Sequence, residues 1–217
     1  MNINFIKTKL TPLITVFLCY LLYQSGHFQM LIAALLIVIA SAIEYRKDLF
    51  HSLGFQRKRF STKNLLVIAP ICAVILYMFN FFMLGPCIIY FTGQPIDYSM
   101  FEPLVGDLPK ALGLFALSWT SAAFGEEIVF KGYLMQQFTK FFGSSRISLT
   151  INIILFGALF GLSHAYQGTT GVILTGVTAI ITSVIFHLRK NDLWFNIAIH
   201  GFNNTIGITC IYFGWLF

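Results

Sequence analysis

The chain has 217 residues, of which 57% are hydrophobic, 17% aromatic and only 10% charged, with a formal net charge of +6. A soluble domain carries about 25% charged residues, so this composition excludes an ordinary soluble domain and predicts an all-α, polytopic transmembrane helix bundle. The basic residues lie in short loops rather than along a groove, which argues against a nucleic-acid partner and leaves the lipid bilayer as the expected surroundings.

Seven stretches are candidates for membrane spans, since a transmembrane helix needs about 20 mostly apolar residues. In chain order they are residues 10–24, 28–45, 64–84, 108–124 continuing to about 140, 147–164, 169–187 and 192–214. Residues 85–107 contain three prolines and three glycines, so they are predicted to form the longest loop.

The basic residues are distributed unevenly between the two sides of this predicted bundle. Twelve of the fourteen Lys and Arg residues fall on the side of the N-terminus, whereas Lys110 falls on the other side and Lys131 lies within a span. The positive-inside rule therefore predicts a cytoplasmic N-terminus and, with seven spans, an external C-terminus at Phe217.

Two consecutive carboxylates, Glu126 and Glu127, lie in the fourth apolar stretch. Burying a carboxylate in hydrocarbon costs several kcal/mol unless it is paired or protonated, so the pair is a functional-site hypothesis. Consecutive residues of an α-helix diverge by about 100°, which predicts different faces for the two side chains. The i, i+4 spacing predicts an ion pair between Glu127 and Lys131 and leaves Glu126 free. A purely structural polar cluster is the alternative.

The fifth stretch ends in a histidine, His164, with Phe160 one turn before it. Phe160 is expected to pack beside His164, whereas Ser163 would point away from it on a helix. Gly157 and Gly161 form a small-xxx-small pair, which predicts close approach of another helix. Taken alone, a histidine at a helix end is more often structural than functional.

The last stretch carries His200 and Asn204, which share a helix face at i and i+4, while Asn203 is expected to point elsewhere. Three helices thus each carry a motif with an ionisable residue: Glu126, His164, and His200 with Asn204. These groups can activate water and stabilise an oxyanion, or they can hold a divalent metal, for which imidazole and carboxylate ligands suit Zn²⁺.

The motifs Glu-Glu-x-x-x-Lys (126 to 131), Phe-x-x-x-His (160 to 164) and His-x-x-x-Asn (200 to 204), in this order on separate helices, resemble the CPBP family of intramembrane proteases. That family includes the CAAX prenyl endopeptidases and the Abi proteins, which act in bacteriocin processing and immunity. The resemblance covers about residues 108 to 214. It implies N-terminal transmembrane spans and an outer loop over residues 1–107 and a catalytic helical core over residues 108–217, in a multi-pass protein expected in a bacterial cell membrane.

The resemblance also implies roles for single residues. Glu126 and His164 would activate the attacking water, with or without a metal, and His200 and Asn204 would stabilise the oxyanion or complete a metal site. A metal would be held by Glu126, His164 and His200, with Glu127, Lys131 and Phe160 as supporting residues. The family usually has Arg where this chain has Lys131, and Lys lacks the bidentate fork of a guanidinium.

The leading interpretation is therefore an intramembrane endopeptidase that acts on a membrane-associated peptide or protein, such as a lipidated C-terminus or a secreted-peptide precursor. The alternative is a non-catalytic immunity or scaffold protein that binds a peptide or a sensor partner. A transporter with a proton relay ranks third, because the sequence shows no internal repeat.

Overall fold

A computed structural model of the protein describes residues 9–25 and 29–216, and the regular secondary structure in these ranges is entirely helical. The all-α prediction is therefore confirmed for this part of the chain. Seven long helices within it are numbered here as α1 (Thr11–Ser25), α2 (Gln29–Tyr45), α3 (64–92), α4 (108–142), α5 (Arg146–Leu162), α6 (Gly168–Leu188) and α7 (Leu193–Tyr212). Short helical turns lie between them at Arg46–Asp48, Leu49–Ser52, Arg57–Arg59, Ser99–Leu104 and Ala165–Gln167.

Two of these helices, α3 and α4, contain π-helical turns. Such turns are rare in proteins, and those that occur are often found near functional sites. The segments of α3 are Asn64–Ile68 (π), Ala69–Phe79 (α), Asn80–Leu84 (π) and Gly85–Thr92 (α). The segments of α4 are Leu108–Leu117 (α), Ser118–Glu126 (π), Ile128–Leu134 (π) and Met135–Phe142 (α).

The predicted end of the third span at residue 84 is wrong, because α3 continues to Thr92. The Gly85 N–H bonds to the Asn80 carbonyl in a wide π-turn, and Pro86 follows in the first turn of the next α-helical segment, where a missing N–H is tolerated. Gly93 then ends the helix with φ at 68°, a left-handed conformation that glycine adopts readily. The outer loop is therefore residues 93–107.

Two helices are long and apolar enough to cross a membrane by length and composition, Asn64–Thr92 and Ala165–Leu188. Within the described residues, Thr11–Leu22 and Arg146–Leu162 are apolar but shorter. The prediction of seven spans is therefore not confirmed. Lys7 and Phe217, on which the predicted sides of the two termini partly depend, lie outside the described residues.

Several loops and helix ends meet at what we call the basic end, comprising residues 44–63, 140–146 and 189–192. Lys140 Nζ lies 3.3 Å from Glu44 Oε2, which joins the ends of α4 and α2. Arg59 donates to the Arg189 carbonyl at 3.0 Å, which joins the loop before α3 to the end of α6.

The outer loop contacts the opposite ends of the helices. The Asp97 N–H donates to the Gln167 carbonyl at 3.1 Å, just before α6, and the Gly106 N–H donates to the Tyr212 carbonyl at 2.9 Å, at the end of α7. Consecutive long helices therefore alternate in direction, and this alternation separates the outer loop from the basic end.

Glycines allow the close helix contacts that surround α4. A Cβ at Gly161 would lie 2.4 Å from the Val172 carbonyl oxygen of α6, so the predicted close approach at this glycine is confirmed. A Cβ at Gly201 of α7 would lie 2.5 Å from the Trp119 ring, so the π-helical part of α4 packs directly on α7. Asn152 of α5 donates to the Met135 carbonyl at 2.9 Å and holds the other side of α4.

Candidate active site

A cavity of about 1110 Å³ lies between α3, α4, α6, α7 and the end of α5. Its walls include the four predicted catalytic residues, Glu126, His164, His200 and Asn204. The three predicted supporting residues, Glu127, Lys131 and Phe160, also line it. The expected convergence of the motifs around one cavity is therefore confirmed, and the catalytic roles stay predictions.

Glu127 and Lys131 form a buried ion pair on α4. Lys131 Nζ donates to Glu127 Oε1 at 2.7 Å and to Oε2 at 2.9 Å, and the two side chains are only 5% and 4% exposed. The ion pair predicted from the i, i+4 spacing is confirmed. A charge this deeply buried is strongly destabilising when its partner is removed.

Glu127 does more than the sequence predicted, because it also contacts His200. The His200 Nδ1 atom lies 3.1 Å from Glu127 Oε1, and its Nε2 atom lies 3.7 Å from Glu126 Oε2. Both glutamates therefore approach one imidazole, so Glu127 is not confined to the ion pair with Lys131. Two features explain this result: α4 is π-helical on both sides of Glu127, which changes the angle between successive side chains, and an imidazole presents its nitrogens on two sides.

The contact with Glu127 selects a tautomer of His200. An ionised carboxylate can only accept hydrogen bonds, and Glu127 is paired with Lys131. The hydrogen atom of the contact is therefore on His200 Nδ1, and the Nε2 atom is directed toward Glu126.

The Glu126 carboxylate is less completely paired than that of Glu127. Its Oε2 atom is buried and makes no hydrogen bond to the described residues, and the distance of 3.7 Å to His200 Nε2 is too long for a direct hydrogen bond. A buried acceptor without a partner costs about 1–3 kcal/mol. Glu126 is thus the carboxylate that is left available for chemistry.

His164 is held by Phe160 in two ways. Its Nδ1 atom lies 2.9 Å from the Phe160 carbonyl oxygen, so Nδ1 carries the hydrogen and Nε2 is left free. The Phe160 ring lies 4.9 Å from the His164 ring and 6.1 Å from the His200 ring, measured between centroids. The predicted packing of Phe160 beside His164 is confirmed, and the same ring reaches the second histidine.

Ser163 does not point away from His164, as a continuous helix would require. Its Oγ atom lies 3.2 Å from His164 Nδ1, because α5 ends at Leu162 and helical spacing no longer applies beyond it. Ser163 Oγ and His164 Nδ1 both lie within hydrogen-bond distance of the Phe160 carbonyl oxygen. The serine therefore helps to fix the end of α5, and His164 is not arranged to take its proton.

Comparison with known families agrees with this geometry. Residues 108–206 match the family described as Type II CAAX prenyl endopeptidase Rce1-like. Over this segment, the chain is similar to the CAAX prenyl endopeptidases. A search of curated proteins and a search of solved structures each returned no significant match. The family is one of membrane-embedded endopeptidases, and two helices of this chain fit membrane insertion.

Two further polar residues of the cavity wall were not expected. Asn203 lines the cavity beside Asn204, although the helical spacing suggested that it points elsewhere. Asn80 of α3 also lines it and donates to Thr178 of α6 at 3.0 Å. Asn80 lies outside the segment that matches the CAAX protease family. The sequence feature that could have identified it is that it is a single amide side chain within an otherwise apolar run.

The donor groups do not form a three-ligand metal site as they are arranged. Glu126 and His200 approach each other, but no group of three His, Cys, Asp or Glu side chains that could hold a metal ion occurs among the described residues. His200 Nδ1 and His164 Nδ1 face Glu127 and Phe160 respectively. The Nε2 atoms of both histidines stay free, as they would in histidines that bind a metal, so the expected ligand set of Glu126, His164 and His200 stays a prediction.

Proposed function

We propose that the protein is an intramembrane endopeptidase that hydrolyses a peptide bond in a membrane-associated peptide or protein. The observation that carries this proposal is the unpaired Glu126 carboxylate, which lies beside His200 in a cavity large enough for a peptide segment. Similarity to the CAAX protease family over residues 108–206 supports the same reaction.

In the proposed reaction, Glu126 is the general base. A water molecule between Glu126 and His164 attacks the carbonyl carbon of the scissile bond while its proton passes to the Glu126 carboxylate. His164 orients this water through its free Nε2 atom, because its Nδ1 atom is occupied by the Phe160 carbonyl. The new carbon–oxygen bond leaves a negative charge on the former carbonyl oxygen.

Asn204 stabilises this oxyanion. Its side chain lines the cavity one helical turn from His200, and its amide donates to the developing charge. One donor of this kind contributes about 3–4 kcal/mol to transition-state stabilisation. When the carbon–nitrogen bond breaks, Glu126 returns its proton to the leaving amine, so that the reaction consumes one water and regenerates the enzyme.

Glu127 and Lys131 are positioning residues in this mechanism. The ion pair keeps Glu127 as a hydrogen-bond acceptor, and Glu127 holds His200 by its Nδ1 atom. His200 Nε2 is thereby held 3.7 Å from Glu126 Oε2, on the side of the imidazole that faces the catalytic carboxylate. A similar arrangement of an acidic residue that orients an imidazole recurs in many hydrolases.

The proposal includes a placement in the membrane. The chain crosses the bilayer seven times, with the basic end in the cytoplasm and the C-terminus outside. The alternation of helix directions and the position of twelve basic residues support this placement.

Cleavage by the purified protein in detergent tests the proposed function. The probes are a fluorogenic farnesylated peptide that ends in Cys-aliphatic-aliphatic-X and a panel of unmodified apolar fluorogenic peptides. Glu126→Gln should abolish cleavage, and Asn204→Ala should slow it by about 10²–10³-fold. Glu102→Gln, an exposed glutamate of the outer loop, is the matched control and should cleave at the wild-type rate.

The non-catalytic interpretation gives the opposite result. A scaffold or immunity protein would cleave none of these peptides and would keep its cellular function after Glu126→Gln. Wild-type turnover in the Glu126→Gln variant would remove Glu126 from the mechanism.

A further inference from the structure

The cavity reaches one end of the molecule. In addition to the catalytic residues, its walls include a part of the outer loop and the residues that follow α7: Pro95, Ile96, Tyr98, Met100, Phe101, Trp215 and Leu216. Within the described ranges, no lining residue comes from the basic end. One cavity therefore connects Glu126 with the outer loop.

The residues at this mouth are open to the surroundings. Tyr166 is 48% exposed, Met100 is 57% exposed and Trp215 is 67% exposed. Large apolar side chains at a cavity rim suit an apolar peptide segment.

Close packing seals the opposite side of the site. A cluster of buried side chains fills the space between α4, α6 and α7, and its members are at most 2% exposed: Ala123, Phe186, Leu193 and Ile197. The Leu193 N–H donates to the Gly54 carbonyl at 3.1 Å, so the loop before α3 closes over this cluster. A peptide cannot pass through a core packed in this way.

The mouth and the basic end lie at opposite ends of the helices. Eleven of the thirteen basic residues that the structure describes fall on the side away from the outer loop, and the positive-inside rule assigns that side to the cytoplasm. We propose that the substrate reaches Glu126 from the extracytoplasmic side, and that it is an exported peptide rather than a prenylated cytoplasmic protein. This inference rests on the proposed endopeptidase function and adds the side and the class of its substrate.

Labelling at single cysteines tests the position of the mouth. In a variant with the four native cysteines replaced, Ser99→Cys places a thiol on the exposed outer loop beside the mouth, and His51→Cys places one on the exposed basic end. Attachment of a bulky maleimide at residue 99 should abolish cleavage in detergent, whereas the same label at residue 51 should leave the rate of the unlabelled variant unchanged. The reverse pattern, or equal inhibition by both labels, would overturn the assignment of the mouth.

The same two variants report the orientation in intact cells. A membrane-impermeant maleimide added outside should label Ser99→Cys and spare His51→Cys until the membrane is broken. Labelling of His51→Cys alone would put the mouth in the cytoplasm and overturn the extracytoplasmic route.

Vesicles of known orientation then test the route of the substrate. A charged, membrane-impermeant fluorogenic peptide that the detergent-solubilised enzyme cleaves should be cleaved when it is on the outer-loop side of sealed vesicles, and not on the other side. If the enzyme is active in detergent but cleaves the peptide from the basic side, or from neither side, the proposed route is wrong. Absence of cleavage in detergent, for the farnesylated and the unmodified peptides alike, would instead sink the proposed function itself.

Discussion

Glu127 accepts a hydrogen bond from His200 at 3.1 Å, between Glu127 Oε1 and His200 Nδ1, across the interface of α4 and α7. The same oxygen accepts a hydrogen bond from Lys131 at 2.7 Å. One buried carboxylate thus connects the ion pair within α4 to a histidine of the active site. Substitutions at Glu127 and Lys131 can therefore distinguish the contribution of the ion pair to stability from the contribution of Glu127 to the orientation of His200.

Lys131→Met should destabilise the protein by up to about 3–5 kcal/mol, because Glu127 would remain buried without its cation. The thermal unfolding midpoint in detergent measures this effect. Lys131→Arg keeps the positive charge, so its unfolding midpoint should fall much less. The double substitution of Glu127→Gln with Lys131→Met removes both charges and should recover most of the loss. An unchanged midpoint for Lys131→Met would show that the pair contributes little.

The double variant should remain impaired in catalysis even where its stability recovers. A glutamine at position 127 no longer forces the hydrogen of His200 onto Nδ1, and loss of such an orienting carboxylate can cost up to about 10⁴ in kcat. We expect a fall in kcat with a smaller change in KM, measured on a peptide that the wild-type protein cleaves. Full activity in the stable double variant would assign Glu127 a structural role only.

Gly161→Ala should destabilise the contact between α5 and α6, because its Cβ would lie 2.4 Å from the Val172 carbonyl oxygen. Overpacking of this kind costs about 1–3 kcal/mol. Gly113→Ala is the matched control, since a Cβ there meets nothing within 4 Å, and it should stabilise its helix by about 0.5–1 kcal/mol. Equal unfolding midpoints for the two variants would contradict the close approach.

If Glu126 acts as the general base, as proposed, removal of divalent metals should leave cleavage unchanged. The measurement is the initial rate after incubation with 1,10-phenanthroline and after exhaustive dialysis against EDTA. A loss of activity that Zn²⁺ restores would show that Glu126 and His200 hold a metal during turnover, and the general-base role of Glu126 would then be replaced.

Features that depend on residues close together in the chain could be predicted from the sequence. The apolar stretches predicted the positions of the seven long helices, and the i, i+4 spacing predicted the pair of Glu127 with Lys131, because both depend only on helical periodicity. The Gly157 and Gly161 pair predicted a close helix contact for the same reason. The end of the third span was misplaced, since the π-turn at Asn80–Leu84 that carries the chain past Pro86 has no simple sequence signal.

Composition and local spacing are enough to predict that this chain is helical and rich in apolar surface, and that Glu126, His164, His200 and Asn204 are candidate functional residues. The folded arrangement was needed to show that Glu126 and Glu127 approach the same imidazole, that Ser163 lies beside His164, and that the cavity reaches the outer loop. Each of these relationships depends on how helices far apart in the chain pack, or on π-helical and terminal geometry that helical periodicity does not encode.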